Sequence, residues 1–536
     1  MNHTADVLIV GAGPTGLALA NALAHHGVSF SLIERKPHLS THTKATNLMQ
    51  GIQEKLAIYN LLDPMLVKAG SLERLGMYGY GQNLGPVSYW RNDSPFHSVL
   101  LLGQHNIEQG FNQSLTEQGV AVRFDSALVD LKQDQQGVTV TINEDGIERL
   151  ERYKYVIGAD GPRSIVRTFT NLDFTPTKTG VTVRQVDARL TWKRPTSMKQ
   201  MWLFYYDGGF GVVISLPDGI TKIMSFDDSH VIPDRTPTLP EMQTALRQFS
   251  GDDSATLEDP IWFSYGELLT GLAPALIDER VILAGDSGNP ILPNGGQGLN
   301  TGIQDAVNLA WKLTDVLKFG ANKSLLKTYE IERLGFRTEL EKGQNSSLKY
   351  IVHPPKLVQW AVKKFGRYGL KKGGDAMIRF FSQLGVEYLK SPLTVEKVGT
   401  KGIRAGQNIQ DGDLLEAKTR REVSLFGLLA QPNWKLLYFD KGVGISAEQA
   451  RSVNALPYPY LDTYLISSSV KTAATLDNLF FDLEAIVHRT YIISQPMFYL
   501  VRPDNHVALR TTSLVDVPIY LNNLYPQAAT QSAVVL

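Results

Sequence analysis

Apolar and polar residues near the N-terminus follow the order of a strand, a turn, a helix and a second strand. Residues 7–10 are uniformly apolar, as expected for a parallel strand buried on both faces. A glycine-rich turn at 11–16 precedes an Ala- and Leu-rich stretch, 17–26, that ends at a glycine suited to a helix C-cap. Another apolar run covers 30–33. The pattern predicts one βαβ unit over residues 6–34.

Farther along the chain the hydrophobic period changes several times. Residues 100–160 contain short alternating runs, which predict a meander inserted in the α/β layer. Residues 175–268 are strand-like and rich in aromatic side chains, which predicts a second sheet. The apolar strand at 280–284 precedes a Gly- and Pro-rich loop and a long amphipathic helix that should end at Gly320. Residues 325–395 read as mostly helical, and the remaining residues predict a separate α/β unit.

Composition narrows the class of protein. Of the 536 residues, 43% are hydrophobic and 20% charged, which excludes wholesale disorder, collagen and a coiled-coil rod. Lys and Arg together number 53, as do Asp and Glu, so no global field attracts nucleic acid or an anionic membrane. We therefore expect neither as a partner. A local basic stretch in residues 363–372 is interpreted as a solvated helix face rather than a contact for an acidic partner.

The chain contains no cysteine, which excludes disulfides, thiol nucleophiles, iron–sulfur clusters and cysteine zinc sites. Any redox chemistry therefore needs a bound cofactor. No histidine has a carboxylate or a second ligand at metal spacing, so no metal site is expected. The N-terminus has no secretory leader, and no stretch of about 18 apolar residues occurs, which predicts a cytoplasmic protein.

The glycine turn is the first motif that carries chemistry. Its three glycines follow the G-x-G-x-x-G spacing between a strand and a helix, and such a turn lets the backbone approach a pyrophosphate at the helix N-terminus. Glu34 lies 18 residues beyond Gly16, at the tip of the second strand, where it can accept hydrogen bonds from a ribose diol. Together these features predict a dinucleotide site.

Two further motifs also follow apolar strands. Asp160 and Gly161 end one strand and precede basic residues, a pattern that alone would indicate a surface turn. Gly285 and Asp286 end another, and the loop 293–298 leads into the long helix. N–H groups at the start of that helix would stabilise negative charge on a bound ring or phosphate.

In this order, the three motifs resemble the FAD-dependent aromatic hydroxylases, the single-component flavoprotein monooxygenases with the p-hydroxybenzoate hydroxylase fold. The resemblance implies an α/β (α+β) chain with a Rossmann-like FAD-binding domain built from residues 1–175 and 269–395. Residues 176–268 would form an inserted antiparallel-sheet domain for the substrate. Residues 396–536 resemble the thioredoxin-like third domain of phenol and polyketide hydroxylases, which here, without cysteine, should be structural.

The resemblance also implies which residues hold the cofactor. Glycines of the first motif and Glu34 would bind the ADP half of FAD, Asp160 would serve FAD and the nicotinamide donor, and Asp286 would contact the ribityl chain. The residues expected at the cofactor are Gly11, Gly13, Pro14, Thr15, Gly16, Glu34, Arg35, Lys44, Gln104, Asp160, Asp286, Pro293, Gly296, Gly298, Leu299 and Asn300.

The activity implied by the resemblance is monooxygenation with NADPH or NADH and dioxygen. A flavin hydroperoxide would hydroxylate an apolar aromatic or polycyclic phenolic substrate without an obligatory acid or base side chain. No catalytic residue is therefore named, and Tyr205 and Tyr206 are candidates for orienting a substrate hydroxyl. A monomer or a homodimer is expected.

Departures from the family pattern leave an alternative open. Lys44 and Gln50 stand where the family usually has arginines, so a planar bidentate donor is replaced by a point charge and a neutral group. A non-catalytic or oxidase-type flavin-binding protein of the same fold therefore remains an alternative. A flavin halogenase would carry a Trp-x-Trp-x-Ile-Pro run, which is absent, and a NAD-dependent dehydrogenase would leave the second and third motifs unexplained.

Overall fold

The first part of the chain alternates strands and helices. The computed structural model describes residues 4–41, 46–172, 175–217, 219–228, 232, 234–290, 296–352, 354–442, 444–470 and 477–526. Its first strands are β1 Ala5–Val10, β2 Phe30–Ile33, β3 Asn47–Leu48, β4 Gly70–Leu72, β5 Arg74–Gly79, β6 Gln82–Ser88, β7 Val99–Leu101, β8 Ser126–Gln133, β9 Val138–Glu144 and β10 Ile147–Gly158. The helices among them are α1 Pro14–His25, α2 Gln50–Ala57, α3 Asp63–Leu66, α4 Gln104–Glu117 and α5 Ile165–Thr168.

The middle of the chain adds a second group of strands and then three long helices. The strands are β11 Thr177–Thr191, β12 Gln200–Tyr206, β13 Gly209–Ser215, β14 Thr221–Asp228, β15 Thr256–Thr270, β16 Ile277–Asp278 and β17 Val281–Leu283. The helices are α6 Leu239–Ser250, α7 Gln297–Lys318, α8 Ser324–Val352 and α9 Lys356–Phe381, and a 3₁₀ turn covers Gly285–Ser287.

The last part of the chain forms its own sheet. Its strands are β18 Val395–Glu396, β19 Asp413–Glu416, β20 Glu422–Ser424, β21 Trp434–Phe439, β22 Leu461–Ser467, β23 Leu479–Phe481, β24 Met497–Val501 and β25 Val507–Thr511. Its helices are α10 Leu425–Leu429, α11 Ala447–Asn454, α12 Ile486–Thr490 and α13 Asp516–Leu524.

The first sheet holds the predicted βαβ unit. Its order is β16-β17-β10-β1-β2, with β17, β10, β1 and β2 parallel, and β8 and β9 join it through the antiparallel partner β10. Residues 7–9 of β1 are fully buried, as the apolar run predicts. The prediction of a meander over 100–160 was wrong at its start, because residues 104–117 form helix α4 and the meander begins only at β8.

The second sheet has the order β15-β11-β14-β13-β12-β5-β6. Neighbouring strands of this sheet are antiparallel, except that β12 and β5 are parallel. Strands β5 and β6 come from a segment that precedes the other strands of the sheet in the chain. Residues 74–88 therefore belong to this sheet although the sequence placed them in the first domain. Helix α6, which the strand-like pattern did not predict, begins with a capping box between Thr238 and Glu241 and packs on one face of the sheet.

The C-terminal sheet has the order β18-β25-β24-β21-β22-β23-β19-β20. Strands β21 and β22 are parallel, and β24 runs antiparallel to both β21 and β25. This arrangement is compatible with the thioredoxin-like domain, whose identity and boundaries stay predictions. Among the described residues, no helix combines the length and the apolar composition needed to cross a bilayer.

Candidate FAD-binding site

Three motifs meet because the strands before them are neighbours in one parallel sheet. The Ala159 N–H donates to the Val10 carbonyl (2.9 Å), and the Ala284 N–H donates to the Gly158 carbonyl (2.9 Å). The carboxyl ends of β1, β10 and β17 thus lie side by side, at the edge where parallel α/β sheets bind ligands. The sequence motifs, which are more than a hundred residues apart, form one site.

The three glycines of the first motif have different structural roles. Gly11 has φ +104°, and a Cβ on it would lie 2.6 Å from the Ala159 carbonyl oxygen. A Cβ on Gly16 would lie 1.9 Å from the Gly11 carbonyl oxygen. A Cβ on Gly13 would meet nothing within 4 Å. The fold therefore requires Gly11 and Gly16, whereas Gly13 leaves an open surface at the start of α1, as pyrophosphate binding needs.

Glu34 stabilises the glycine turn of the first motif through hydrogen bonds. Its Oε2 accepts a hydrogen bond from the Ala12 N–H (3.0 Å), and its Oε1 accepts one from the Lys36 N–H (3.1 Å). A carboxylate has about four acceptor positions, so Glu34 can hold the turn and still accept from a ribose hydroxyl. Arg35 beside it is exposed to solvent.

The two carboxylate oxygens of Asp160 differ in their hydrogen bonding. Its Oδ2 accepts from the N–H groups of Ile165 (2.7 Å) and Val166 (3.1 Å), which fixes the start of α5. Its Oδ1 is buried and has no hydrogen-bond partner. Burial raises the pKa of the carboxyl group. A buried acceptor without a donor is costly, and a hydroxyl of a bound cofactor would satisfy it.

Thr15 connects the first motif to the third. A Cβ placed on Gly285 would lie 2.6 Å from Thr15 Oγ1, and one placed on Gly302 would lie 2.3 Å from it. Gly285 also has φ +67°. Helix α1, the turn that carries Asp286 and helix α7 therefore pack too closely for side chains at either glycine. Asp286 lies in that turn and is partly exposed.

The start of α7 is held by Asn300. The Asn300 side chain accepts from the Met49 N–H (2.8 Å) and donates to the carbonyls of Asn47 (2.9 Å) and Gly296 (2.8 Å). These hydrogen bonds hold the segment before α2 against the start of α7. Gly298 and Leu299 are half-buried at the N-terminus of α7. Lys44 and Pro293 lie outside the described residues.

Two glutamines complete the surroundings. Gln104 at the start of α4 donates to Glu108 Oε1 (2.8 Å). Gln50 is fully buried, and its Nε2 donates to the carbonyls of Tyr89 (2.6 Å) and Phe96 (3.1 Å). Its Oε1 is buried without a partner. Gln50 is therefore a structural support of α2, and a neutral amide suits two carbonyl acceptors.

A buried charge cluster behind the third motif was missed by sequence reasoning. Asp305 accepts from the Gly285 N–H (2.8 Å) and from Arg333 Nε (2.6 Å), and it also pairs with Arg337. Arg337 in turn donates to the carbonyls of Gly285 (3.2 Å) and Asn289 (3.0 Å). The available signal was the i, i+4 spacing of the two arginines, which puts them on the same face of α8 as the buried Tyr329 and Leu340.

Tyr205 and Tyr206 point to opposite faces of the second sheet. Tyr206 packs on the α6 side with Phe249, and its hydroxyl donates to Asp227 Oδ1 (2.5 Å). Tyr205 packs against the core shared with the FAD-binding sheet, next to Phe210. Burial, with a smaller effect of Tyr80, raises the pKa of Tyr205 to about 12, so its hydroxyl stays protonated. Of the two, only Tyr205 faces the core that the second sheet shares with the FAD-binding sheet.

Comparisons with known proteins agree with this geometry. Residues 4–343 match the family described as FAD binding domain. Rifampicin monooxygenase of Streptomyces venezuelae is 33% identical over 356 residues, covering 65% of this chain and 72% of that protein. Pentachlorophenol 4-monooxygenase of Sphingobium chlorophenolicum is 26% identical over 529 residues, or 94% of each chain.

Solved structures share the fold over nearly the whole length. Anhydrotetracycline hydroxylase from Streptomyces rimosus superposes with a TM-score of 0.75 at 23% identity, covering 97% of this chain and 99% of that one. The ternary complex of aklavinone-11 hydroxylase with FAD and aklavinone gives a TM-score of 0.78 at 21% identity, covering 98% and 100%. These matches confirm the predicted fold class, and with the family match they show that the chain belongs to the FAD binding domain family, as a flavoprotein monooxygenase that takes FAD as its cofactor.

Proposed function

We propose that the protein uses NADPH or NADH and dioxygen to hydroxylate an apolar aromatic or polycyclic phenolic substrate. The observation that carries this proposal is the convergence of the three motifs at one edge of the first sheet, which shares a hydrophobic core with the aromatic face of the second sheet. The relatives that match over the FAD-binding region are monooxygenases by name. This favours the hydroxylase interpretation over a non-catalytic or oxidase-type flavoprotein.

The residues present fit FAD. Gly13 leaves space at the start of α1, Glu34 retains acceptor capacity and Asp160 holds an unpaired buried acceptor. Bound FAD would supply the oxygen chemistry, which no amino-acid side chain performs. The chain contributes binding and orientation, and the N-terminus of α7 offers the positive end of its helix dipole.

The second sheet supports an apolar aromatic substrate. On its face toward the FAD-binding core lie Leu203, Tyr205, Phe210 and Phe226, of which the last two stack with ring centroids 4.1 Å apart. Such a surface excludes water from a bound ring system. The hydroxyl of Tyr205 would orient a substrate hydroxyl there.

The test is the fate of the oxygen atoms. Purified protein with bound FAD is mixed with NADPH or NADH, isotopically labelled dioxygen and a panel of phenols and polycyclic aromatics. A true substrate should accelerate reductant oxidation and yield product with one labelled atom. Label confined to hydrogen peroxide and water across the panel would contradict hydroxylation and favour the oxidase-type alternative.

A further inference from the structure

Helix α9 covers the edge of the second sheet with one face and leaves the other to solvent. The inner face meets β6 closely, since a Cβ on Gly366 would lie 2.9 Å from a Leu84 methyl and one on Gly374 would lie 3.1 Å from a Val87 methyl. Ile378 is fully buried on the same side. The helix is therefore fixed to the sheet, and its outward face is rigidly presented.

The outward face combines large apolar side chains at helical spacing. Leu357 is 74% exposed, Trp360 52%, Phe365 52% and Tyr368 61%. Exposure of one such side chain needs no explanation, but four within twelve residues of one helix form a patch. We call this surface, with the cations among and just after these residues, the α9 outer face.

Five cations lie among these side chains and give the face a strong positive charge. They are Lys363, Lys364, Arg367, Lys371 and Lys372, all exposed. In the part of the chain that the structure describes, none of the five forms an ion pair with a carboxylate. Of the other charged residues of the helix, Asp375 pairs with Arg91 and Arg379 pairs with Asp93, and Lys356 is an exposed cation at the first residue. The α9 outer face thus concentrates about five positive charges in a chain of zero net charge.

Two of the lysine ammonium groups lie close to the aromatic rings of the α9 outer face. Lys364 Nζ is 5.2 Å from the centroid of the Trp360 ring, and Lys372 Nζ is 4.9 Å from that of Tyr368. At a membrane interface, aromatic rings lie among the headgroups while lysines keep their charge near the phosphates. A helix with this mixture binds in the plane of an anionic surface.

The combination of positive charge and apolar side chains distinguishes among the possible partners of the α9 outer face. A second copy of the same face would bring two sets of five cations together, which is repulsive. A nucleic acid would pair with the cations but has no apolar layer for Leu357, and an acidic protein would need an apolar groove in addition to its negative charge. An anionic bilayer provides both negative charge and an apolar layer for these side chains.

We propose that the α9 outer face docks the protein on an anionic lipid surface, with the helix lying in the plane of the interface. This proposal does not depend on the flavin chemistry. It differs from the expectation based on net charge, because a sum over the whole chain conceals a local cluster. The Gln359 side chain contacts Asp207 (3.3 Å) in the turn between β12 and β13, so docking would hold the second sheet beside the lipid.

The experiment measures co-sedimentation of the FAD-loaded protein with vesicles. One set contains equal parts of phosphatidylglycerol and phosphatidylcholine, and the other contains phosphatidylcholine alone. The first variant carries Lys363→Gln, Lys364→Gln, Lys371→Gln and Lys372→Gln, since glutamine keeps helix propensity. The control carries Lys132→Gln, Lys193→Gln, Lys199→Gln and Lys418→Gln, four exposed lysines outside α9 that each pair with a carboxylate.

Binding should be confined to the anionic vesicles and should be lost at about 1 M salt, where the Debye length is about 3 Å. The α9 variant should bind at least about a hundredfold more weakly, because each cation contributes about fivefold. The control variant should bind like the parent protein. Trp360→Gln should weaken binding without changing its salt dependence, and FAD absorbance checks that each variant is folded.

Three outcomes would overturn the proposal. They are no sedimentation with anionic vesicles, equal binding to both vesicle types, and equal loss of binding in the α9 and control variants. Retention of the protein on polyglutamate or RNA with no vesicle binding would identify an acidic macromolecule as the occupant instead. Hydroxylase activity is not a readout here, so failure leaves the proposed function untouched.

Discussion

Arg502 of the C-terminal sheet forms a two-point ion pair with Glu332 of α8, with Nη1 2.6 Å from Oε1 and Nη2 3.0 Å from Oε2. Both side chains are buried, and Lys312 Nζ lies 2.7 Å from the same carboxylate. Burial alone would raise the pKa of Glu332, but Arg502 and Lys312 outweigh it and hold the pKa at about 2. The C-terminal part is therefore joined to the FAD-binding region by desolvated charges.

We predict that Arg502→Met destabilises the protein by about 3–5 kcal/mol, because it leaves Glu332 buried with less compensation. Urea unfolding of the apoprotein measures the change. Lys418→Met is the control, since its pair with Asp477 is exposed and should contribute less than about 1 kcal/mol. Equal stability of the Arg502 variant and the parent would show that this ion pair does not stabilise the folded protein.

Gly13→Val should weaken FAD binding while leaving the apoprotein stable. The valine side chain meets open space in the structure but occupies the surface expected to receive the pyrophosphate. The dissociation constant for FAD should rise at least about tenfold, or about 1.4 kcal/mol, as measured by fluorescence titration.

Gly16→Ala provides the contrast to this variant. Its Cβ would lie 1.9 Å from the Gly11 carbonyl oxygen, so it should lower the stability of the apoprotein itself. If Gly13→Val bound FAD like the parent protein, the first motif would not be a pyrophosphate site.

Replacing Tyr205 and Tyr206 separately distinguishes a substrate contact from a structural one. Tyr205→Phe should raise KM for a phenolic substrate by about fivefold, from a hydrogen bond of about 1 kcal/mol, without changing stability. Tyr206→Phe should leave KM unchanged and lower the free energy of unfolding, because it removes the donor to Asp227. The reverse pattern would mean that the substrate lies on the α6 side of the sheet.

His488 predicts a pH dependence of stability in the C-terminal sheet. Burial alone would lower its pKa, but the nearby Asp440 carboxylate and the hydrogen-bonded Asp482 carboxylate outweigh it and raise the pKa from 6.5 to about 9. Because the folded-state value is the higher one, the stabilisation is complete below about pH 6.5 and is lost as the pH rises through about 9.

The free energy of unfolding should therefore fall by about 3 kcal/mol between pH 6.5 and pH 9. Chemical denaturation across that interval measures the slope. His488→Gln should be less stable near pH 6.5 and should show a flatter profile. An unchanged slope in the variant would assign the pH dependence to other groups.

Local elements could be predicted from the sequence because their causes are local. Strand β1, helix α1 and strand β2 end within a few residues of the predicted positions, and α7 ends two residues before the predicted glycine. Periodicity and glycine spacing depend on residues that are close in sequence, so they can be recognised from the sequence alone. Helix α4 was missed because residues 104–117 contain many polar side chains, which weaken the apolar period.

Contacts between distant residues could not be predicted. The cluster of Asp305 with Arg333 and Arg337 and the pair of Glu332 with Arg502 depend on how helices and sheets pack. The same is true of Gln50, which reads as a departure from a family pattern in the sequence. In the structure its amide satisfies two buried carbonyls, a role that depends on where residues 89 and 96 fold.

The interleaving of the two sheets has a consequence for how the protein folds. Strand β17, which carries the third motif, follows the whole second sheet in the chain, yet it pairs directly with β10. During synthesis the first sheet can therefore not be completed until about residue 283 has emerged, and α7 follows later still. Contacts of such long range close large loops and slow folding. A ribosome-bound fragment that ends before β17 should expose the apolar edge of β10 and depend on chaperones until the missing strand arrives.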